Sequence, residues 1–172
     1  IKIWKKLIKK YSVSLAILPS NYIRLLEESF LKKKIFIKTI VSAASQLSNK
    51  DKYTLRNSNI NFYEMYGASE IGTITSLFLN NKNRNLSSVG KILNGSKVKI
   101  FSDKLIELKN NQIGEIACET KLRFDGYYKD SKLTKKSFHK NYFLTGDLGY
   151  KDKNNYLFFK SRKRDMIITS GI

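Results

Sequence analysis

Residues 60–79 of the chain read INFYEMYGASEIGTITSLFL. It begins with an apolar run at residues 60–63, passes through the turn-rich residues 66–70 and continues as a second β-rich run over residues 72–79. Short runs of this kind, bounded by glycine and polar residues, are typical of strands. The stretch therefore predicts two strands joined by a turn in the middle of the chain.

The residues before this stretch alternate between helical and strand patterns. A helical pattern at residues 4–11 is followed by a short apolar run at residues 13–18. A second helical pattern begins near Ser20 or Asn21, either of which can cap a helix, and an apolar run at residues 35–41 follows it. Strands that alternate with helices indicate an α/β fold in which helices pack on a layered sheet.

The residues after this stretch lose the helical periodicity. Polar residues 80–85 mark a candidate boundary, and strand patterns recur beyond it at residues 97–102, 114–120 and 156–160. We therefore predict an α/β subdomain at residues 1–82, followed by a small, mostly antiparallel β subdomain at residues 86–160.

Composition narrows the possible partners and compartment. The formal net charge is +19, which raises nucleic-acid binding as an alternative. Arginine is scarce and the lysines are spread along the chain, so solvated faces explain the charge more simply, and no nucleic acid is expected. No apolar run has the length of a membrane span. The single cysteine, Cys118, forms no internal disulfide, and without an export signal we expect a cytoplasmic protein.

Three short stretches carry residue types suited to nucleotide chemistry. Residues 64–70 combine an aromatic ring, a glycine, a hydroxyl and a carboxylate, and a carboxylate can hold Mg²⁺. Residues 145–147 place an aspartate after a tight turn, where it can accept hydrogen bonds from ribose hydroxyls. Residues 161–165 carry guanidinium groups that suit phosphate or ribose oxygens. Taken alone, a glycine turn with an acidic residue is more often an ordinary turn, and a basic run is usually a solvated face.

Taken together and in order, these stretches resemble the superfamily of AMP-forming acyl-activating enzymes. That superfamily contains acyl-CoA synthetases, peptide-synthetase adenylation domains and luciferases. The motif residues of this chain are most similar to those of bacterial acyl-CoA synthetases. The motifs that carry the resemblance are Tyr-Gly-Ala-Ser-Glu at residues 66–70, Gly-Glu-Ile at 114–116, Gly-Tyr-Tyr at 126–128, Thr-Gly-Asp at 145–147 and Arg-Lys-Arg-Asp-Met-Ile at 162–167.

The resemblance implies a reaction with two halves. A carboxylic acid reacts with ATP in the presence of Mg²⁺ to give an acyl-adenylate and pyrophosphate. The acyl group then passes to the thiol of coenzyme A or of a carrier protein's pantetheine. The chain is expected to be a fragment of the large N-terminal domain of such an enzyme.

The resemblance also assigns roles to individual residues. Ser69 is expected to donate to the α-phosphate, and Glu70 to bind Mg²⁺. Asp147 is expected to hold the ribose hydroxyls, with Arg162 and Phe159 close to the same sugar. Adenine contacts are implied for Ser42, Ala43, Ala44, Glu64, Tyr66 and Gly67.

The hinge of the family falls at the end of the sequence. Arg164 occupies the hinge position within residues 161–172, toward a C-terminal domain that the sequence does not include. Ser161 stands where glycine is usual, which we expect to be tolerated. The family's phosphate loop is also absent, so we expect the isolated chain not to activate acids at a useful rate. Surfaces that the missing parts would cover offer a route to association.

Other residues receive plainer interpretations. His139 is interpreted as a solvated histidine and Cys118 as a buried, inert thiol, while Tyr127 and Tyr128 are interpreted as packing residues. Two alternatives to the ligase stay open. One is a non-catalytic nucleotide-binding or interaction module with the same fold, and the other is a basic nucleic-acid-binding protein.

Overall fold

A computed structural model describes residues 2–31, 37–80 and 85–165 of the chain. Contacts between Cα atoms divide it into two compact units. The first unit comprises Ile1–Tyr66 and Ser76–Gly90, and the second comprises Gly67–Thr75 and Lys91–Ile172. Most of the predicted boundary at residues 80–85, and the part of the predicted hinge segment 161–172 that follows residue 165, lie outside the described residues. The predicted limits of the subdomains therefore stay predictions.

The first unit is built on parallel strands with intervening helices. Strands β1 and β2 pair in parallel, and so do β2 and β3, while β4 continues the sheet beside β3. Both β3 and β4 contribute residues to both units. The elements are α1 (Lys2–Lys10), β1 (Leu15–Pro19), α2 (Ser20–Leu31), β2 (Thr39–Ala43), α3 (Asn49–Leu55), β3 (Asn61–Ala68) and β4 (Gly72–Leu79).

The core of the first unit follows from its apolar patterns. Helix α1 turns Ile8 inward and carries lysines on its outer face, as the helical spacing predicts. Strand β2 is buried at three consecutive positions, which is typical of a strand covered on both faces. The fully buried apolar side chains are those of Ile23, Ile40, Leu47, Leu55, Phe62, Leu77 and Leu86.

The second unit is antiparallel. Its strands follow the order β10, β9, β7, β6, every neighbouring pair in that series is antiparallel, and β8 pairs with β9. The α/β fold followed by an antiparallel β region is thereby confirmed. The elements are β5 (Gly90–Ile92), β6 (Ser96–Phe101), β7 (Gly114–Thr120), α4 (Ser131–Lys136), β8 (Phe138–His139), β9 (Tyr142–Lys151), β10 (Tyr156–Arg162) and a 3₁₀ turn (Lys163–Asp165).

Several elements differ from the sequence patterns. The polar segment after residue 48 contains α3, which begins at an N-cap where the Ser48 side chain accepts a hydrogen bond from the Asp51 N–H. Strand β2 begins at Thr39, later than the predicted run at 35–41, whose first two residues lie outside the described part. Strand β3 runs through the predicted turn as far as Ala68. No helix in the described ranges is long and apolar enough to cross a membrane.

Candidate functional site

The first unit contains a buried ion pair at one of the predicted site residues. Strand β3 places Glu64 in the core, where it is 2% exposed, and its carboxylate pairs with the ammonium of Lys52 from α3. The Lys52 side chain is fully buried and its Nζ also donates to the carbonyl oxygen of Ser88 at 2.9 Å. The Leu47 N–H donates to Glu64 Oε1 at 2.7 Å. One carboxylate thus joins three segments of the unit.

Burial dominates the ionisation of this carboxylate. Removal from water raises the pKa of the Glu64 carboxyl above its ordinary value, although Lys52 and the Leu47 N–H act in the opposite direction. Both oxygens are occupied, Oε1 by the Leu47 N–H and Oε2 by Lys52. Sequence reasoning missed Lys52, and the adenine contact assigned to Glu64 stays a prediction.

The small-residue segment at the end of β2 passes from the core to the surface. Ser42 is fully buried, and its hydroxyl has no hydrogen-bond partner among the described residues. Ala43 ends the strand, and Ala44 is exposed with a left-handed backbone, at a φ of 72°. Backbone strain of this kind costs energy in an alanine and is found preferentially at ligand sites. The adenine contacts assigned to all three residues stay predictions, with Ala44 the most accessible.

The Tyr-Gly-Ala-Ser-Glu motif lies at the end of β3 and in the turn that follows. Tyr66 is half-buried on β3, whereas Gly67 and Ser69 are exposed. A Cβ atom on Gly67 would lie 2.0 Å from the carbonyl oxygen of Gly72, so this position admits no side chain. The glycine is therefore required by the close approach of two backbone segments, whatever it does for a ligand.

Glu70 is held by two hydrogen bonds from one loop of the second unit. The phenol of Tyr127 donates to Glu70 Oε1 at 2.9 Å, and the Phe124 N–H donates to the Glu70 carbonyl oxygen at 2.8 Å. The packing role expected of Tyr127 is therefore incomplete, and the one expected of Tyr128 is wrong, because that side chain is 88% exposed. A single half-buried carboxylate fits Mg²⁺, which commonly takes one or two protein carboxylates and otherwise binds water and substrate phosphates.

The Thr-Gly-Asp motif forms a bulge in β9 rather than a tight turn. Residues 145–147 lie opposite the single residue Ile116 of β7, because the register shifts between the two strands at this point. The hydroxyl of Thr145 donates to the Ile116 carbonyl oxygen at 2.8 Å and accepts the Asp147 N–H at 3.1 Å. Gly146 has a φ of 70°, a conformation that glycine adopts without strain. Bulges of this kind re-aim side chains and are common beside active sites.

The bulge brings two predicted site residues together. Asp147 is 3% exposed and lies opposite Arg162 of β10, whose Nε is 3.0 Å from Asp147 Oδ1. The Arg162 side chain is 49% exposed, so one member of the pair faces water. Strand β10 carries its own register shift between Phe159 and Ser161, with Lys160 as the additional residue. The proximity of Asp147 and Arg162 agrees with their common assignment to the ribose, which stays a prediction.

The remaining predicted residues lie near this pair or at the end of the described chain. Phe159 is half-buried and pairs with Gly149. The backbone φ of Ser161 is not positive, so this position accommodates a side chain where the family has glycine. Arg164 is exposed, and its Nε lies 3.5 Å from Oδ1 of Asp165. Its hinge role stays a prediction.

Comparison with known proteins gives one curated relative and two solved structures of particular interest. The chain is 35% identical over 114 residues to 2-succinylbenzoate–CoA ligase from Oceanobacillus iheyensis. The aligned region covers 66% of this chain but only 23% of that ligase. An amide bond synthetase from Marinactinospora thermotolerans has a TM-score of 0.88 at 21% identity, over 99% of this chain and 36% of that one.

The second structure is O-succinylbenzoate coenzyme A synthetase from Bacillus subtilis, in complex with ATP and a magnesium ion. Its TM-score is 0.85 at 23% identity, over 96% of this chain and 35% of that one. At these identities the two structures establish the fold alone. The model of the protein family described as AMP-binding enzyme matches residues 1–128, about three quarters of the chain. The chain therefore belongs to the AMP-binding enzyme family.

Proposed function

We propose that this chain is the nucleotide-handling part of an AMP-forming acid–thiol ligase. In the first half-reaction a carboxylate oxygen of the acid attacks the α-phosphorus of ATP, and pyrophosphate leaves. In the second, the sulfur of coenzyme A or pantetheine attacks the acyl carbon, a thioester forms and AMP leaves with the electron pair of the broken bond. The chain spans about a quarter of the curated relative described above, so this complete reaction belongs to the proposal.

The observation that supports the proposal most directly is the buried carboxylate of Asp147 beside the half-exposed guanidinium of Arg162. A carboxylate has two oxygens that only accept hydrogen bonds, and two neighbouring ribose hydroxyls present two donors. The guanidinium pairs with this carboxylate and adds donors of its own. Because Arg162 retains contact with water, it can move to admit a ligand without exposing apolar core.

Ser69 and Glu70 supply charge stabilisation at the reacting phosphate in this proposal. The exposed hydroxyl of Ser69 donates to an α-phosphate oxygen, and Glu70 holds Mg²⁺. Bound Mg²⁺ neutralises charge that accumulates on the phosphate oxygens during displacement. Tyr127 donates to Oε1 of Glu70, so Oε2 is the oxygen that would hold the ion. The described residues include no cluster of three or more metal-ligating side chains, consistent with a cation held chiefly by its nucleotide.

The substrate is proposed only as a class. The curated relative is named for a carboxylic acid and for coenzyme A, and we extend to this chain a carboxylic acid, fatty or otherwise small and organic, with a thiol acceptor. Pyrophosphate release by the isolated chain over a panel of carboxylic acids tests the expectation that this chain alone does not activate acids, and robust turnover would contradict it.

Calorimetric titration with AMP tests the ribose role. We expect Asp147→Ala to weaken AMP binding roughly tenfold or more, because hydrogen bonds to a charged group are worth about 1.5–3 kcal/mol. Asp125→Ala is the matched control, since it removes an exposed carboxylate from the same unit. Equal weakening by both substitutions, or no AMP binding by the unmodified chain, would contradict the proposal.

A further inference from the structure

Glu115 of β7 uses both of its carboxylate oxygens in the second unit. Oε1 accepts the backbone N–H of Gly146 at 3.1 Å, and Oε2 lies 3.1 Å from Nζ of Lys163. Lys163 also pairs with Asp103 at 2.9 Å, and hydrogen bonds to Asp103 and Glu115 raise the pKa of its ammonium group, which therefore stays charged. The Glu115 side chain is mostly buried, so its geometry is restricted.

The partners of Glu115 are the immediate neighbours of the residues assigned to the ribose. Gly146 precedes Asp147 in the bulge of β9, and Lys163 follows Arg162 at the end of β10. Asp147 and Arg162 are themselves paired at 3.0 Å. The contacts therefore form a closed ring that runs from Glu115 through Gly146, Asp147, Arg162 and Lys163 back to Glu115.

A ring of this kind restrains two elements that are otherwise weakly defined. The Gly146 N–H lies in a bulge, where the regular ladder of hydrogen bonds is interrupted, and it needs an acceptor from outside the strand. The exposed arginine has many rotamers, and fixing its backbone reduces the entropy lost when it binds a ligand. Both effects place the Asp147 carboxylate and the Arg162 guanidinium before the nucleotide arrives.

We propose that Glu115 is a positioning residue for nucleotide binding. Its contacts with Gly146 and Lys163 fix the positions of Asp147 and Arg162. The inference rests on the proposed function, because it assumes that these two residues hold the ribose of AMP. Glu115 itself touches no ligand in this proposal.

The same strand offers a matched control. Glu119 of β7 pairs with Lys97 at 3.4 Å, and both side chains are more exposed than Glu115. Neither Glu119 nor Lys97 contacts the Thr-Gly-Asp bulge in any described hydrogen bond. Glu119→Ala therefore removes a carboxylate and an ion pair from β7 without opening the ring.

The test compares AMP with its 2′,3′-dideoxy analogue, which lacks the ribose hydroxyls. Calorimetry is performed on the full chain, on Glu115→Ala and Glu119→Ala, and on Asp147→Ala as reference. We expect the unmodified chain to prefer AMP roughly tenfold, from one or more hydrogen bonds to a charged group. Glu115→Ala should lose most of that preference while binding the analogue normally, and Glu119→Ala should keep it. A purely structural defect would weaken both nucleotides equally and would overturn the inference.

Glu115→Gln separates the contact of Glu115 with Gly146 from its contact with Lys163. It also keeps the size of the side chain, so it is less prone to misfold than Glu115→Ala. Its amide oxygen still accepts the Gly146 N–H but lacks the charge that attracts Lys163, so an intermediate preference is expected. Hydrogen exchange of the Gly146 amide gives a readout that needs no nucleotide, and it should accelerate in Glu115→Ala alone. If the unmodified chain shows no preference for AMP, the proposed function fails. If the preference depends on Asp147 but not on Glu115, and Gly146 exchange is unchanged, only the inference about Glu115 fails.

Discussion

The two units each bury a carboxylate, and the two carboxylates differ in what surrounds their partner. Glu64 in the first unit and Asp147 in the second are almost equally buried, at 2% and 3% exposure. The counter-ion of Glu64 is Lys52, which has no exposed surface, whereas the counter-ion of Asp147 is Arg162, which is half exposed. The first pair is closed to solvent, and the second is open on one side.

This difference distinguishes an ion pair that is closed to ligands, Glu64 with Lys52, from one that a ligand can approach, Asp147 with Arg162. A closed pair has lost its hydration permanently, and its geometry must be satisfied within the protein. An open pair keeps one member in water, and a ligand can replace that water with hydrogen bonds of its own. Burial of a carboxylate is therefore a poor guide to function unless the exposure of its partner is considered as well.

Opening the closed pair should give the largest effect on stability. We expect Lys52→Met to lower the free energy of unfolding by about 3–5 kcal/mol, because it leaves the buried Glu64 carboxyl without its charged partner. Trp4, the single tryptophan, lies in the first unit, so its fluorescence during urea unfolding is the measurement. Lys50→Met, an exposed position on α3, is the control and should change little. If the double substitution Lys52→Met/Glu64→Gln recovers most of the lost stability, Lys52 and Glu64 act as a buried pair. If Lys52→Met alone leaves the free energy of unfolding unchanged, they do not.

The open pair should respond in the opposite way. We expect Arg162→Met to change the free energy of unfolding by only about 1 kcal/mol, because a half-exposed ion pair is screened by water. The same substitution should weaken AMP binding several-fold, on the order of 1 kcal/mol, through lost donors to the ligand. Urea unfolding and calorimetry on one preparation give both numbers. A large loss of stability with unchanged AMP affinity would place this pair with the closed one.

The pH dependence of the closed pair gives the smallest effect. Burial raises the pKa of the Glu64 carboxyl above its ordinary value of 4.5, so the folded state takes up a proton before the unfolded state does. The contribution of this group to stability is thus complete below pH 4.5 and is lost as the pH rises through the folded pKa. Relative to Glu64→Gln, the unmodified chain should gain stability as the solution is acidified toward pH 4.5. A steady relative loss over the same range would mean that Lys52 outweighs burial.

Much of the fold could be predicted from apolar periodicity. Strand β7 lies where its pattern places it and buries Ile116, Ala117 and Cys118. Helix α1 also lies close to its predicted position, although Ile8 is buried while Leu7 and Tyr11 of the same helical pattern are exposed. Helices α3 and α4 were missed, since both are short and rich in lysine, and α3 buries Lys52 as well as Leu55. Their N-caps, Ser48 and Asp130, were the only local signals, and each accepts a backbone N–H of the first turn.

The candidate site was predictable where a motif is continuous in the sequence. The Thr-Gly-Asp stretch and the arginine that ends β10 were recognised by residue type, and the structure brings Asp147 and Arg162 together. Glu115 and Tyr127 could not be assigned their partners, because they meet Gly146 and Glu70 across 31 and 57 residues of chain. Contacts of that range depend on strand register, which local patterns do not specify.

The irregularity in β10 has a consequence for the identity of the open pair. Had the ladder with β9 continued without interruption from Phe159, Ser161 would stand opposite Asp147, and Arg162 would stand one position farther along, opposite Gly146. The additional residue Lys160 displaces the ladder by one step, so a guanidinium takes the place that a hydroxyl would have held. A flaw in the sheet, rather than its regularity, thus selects a cation as the companion of the buried aspartate.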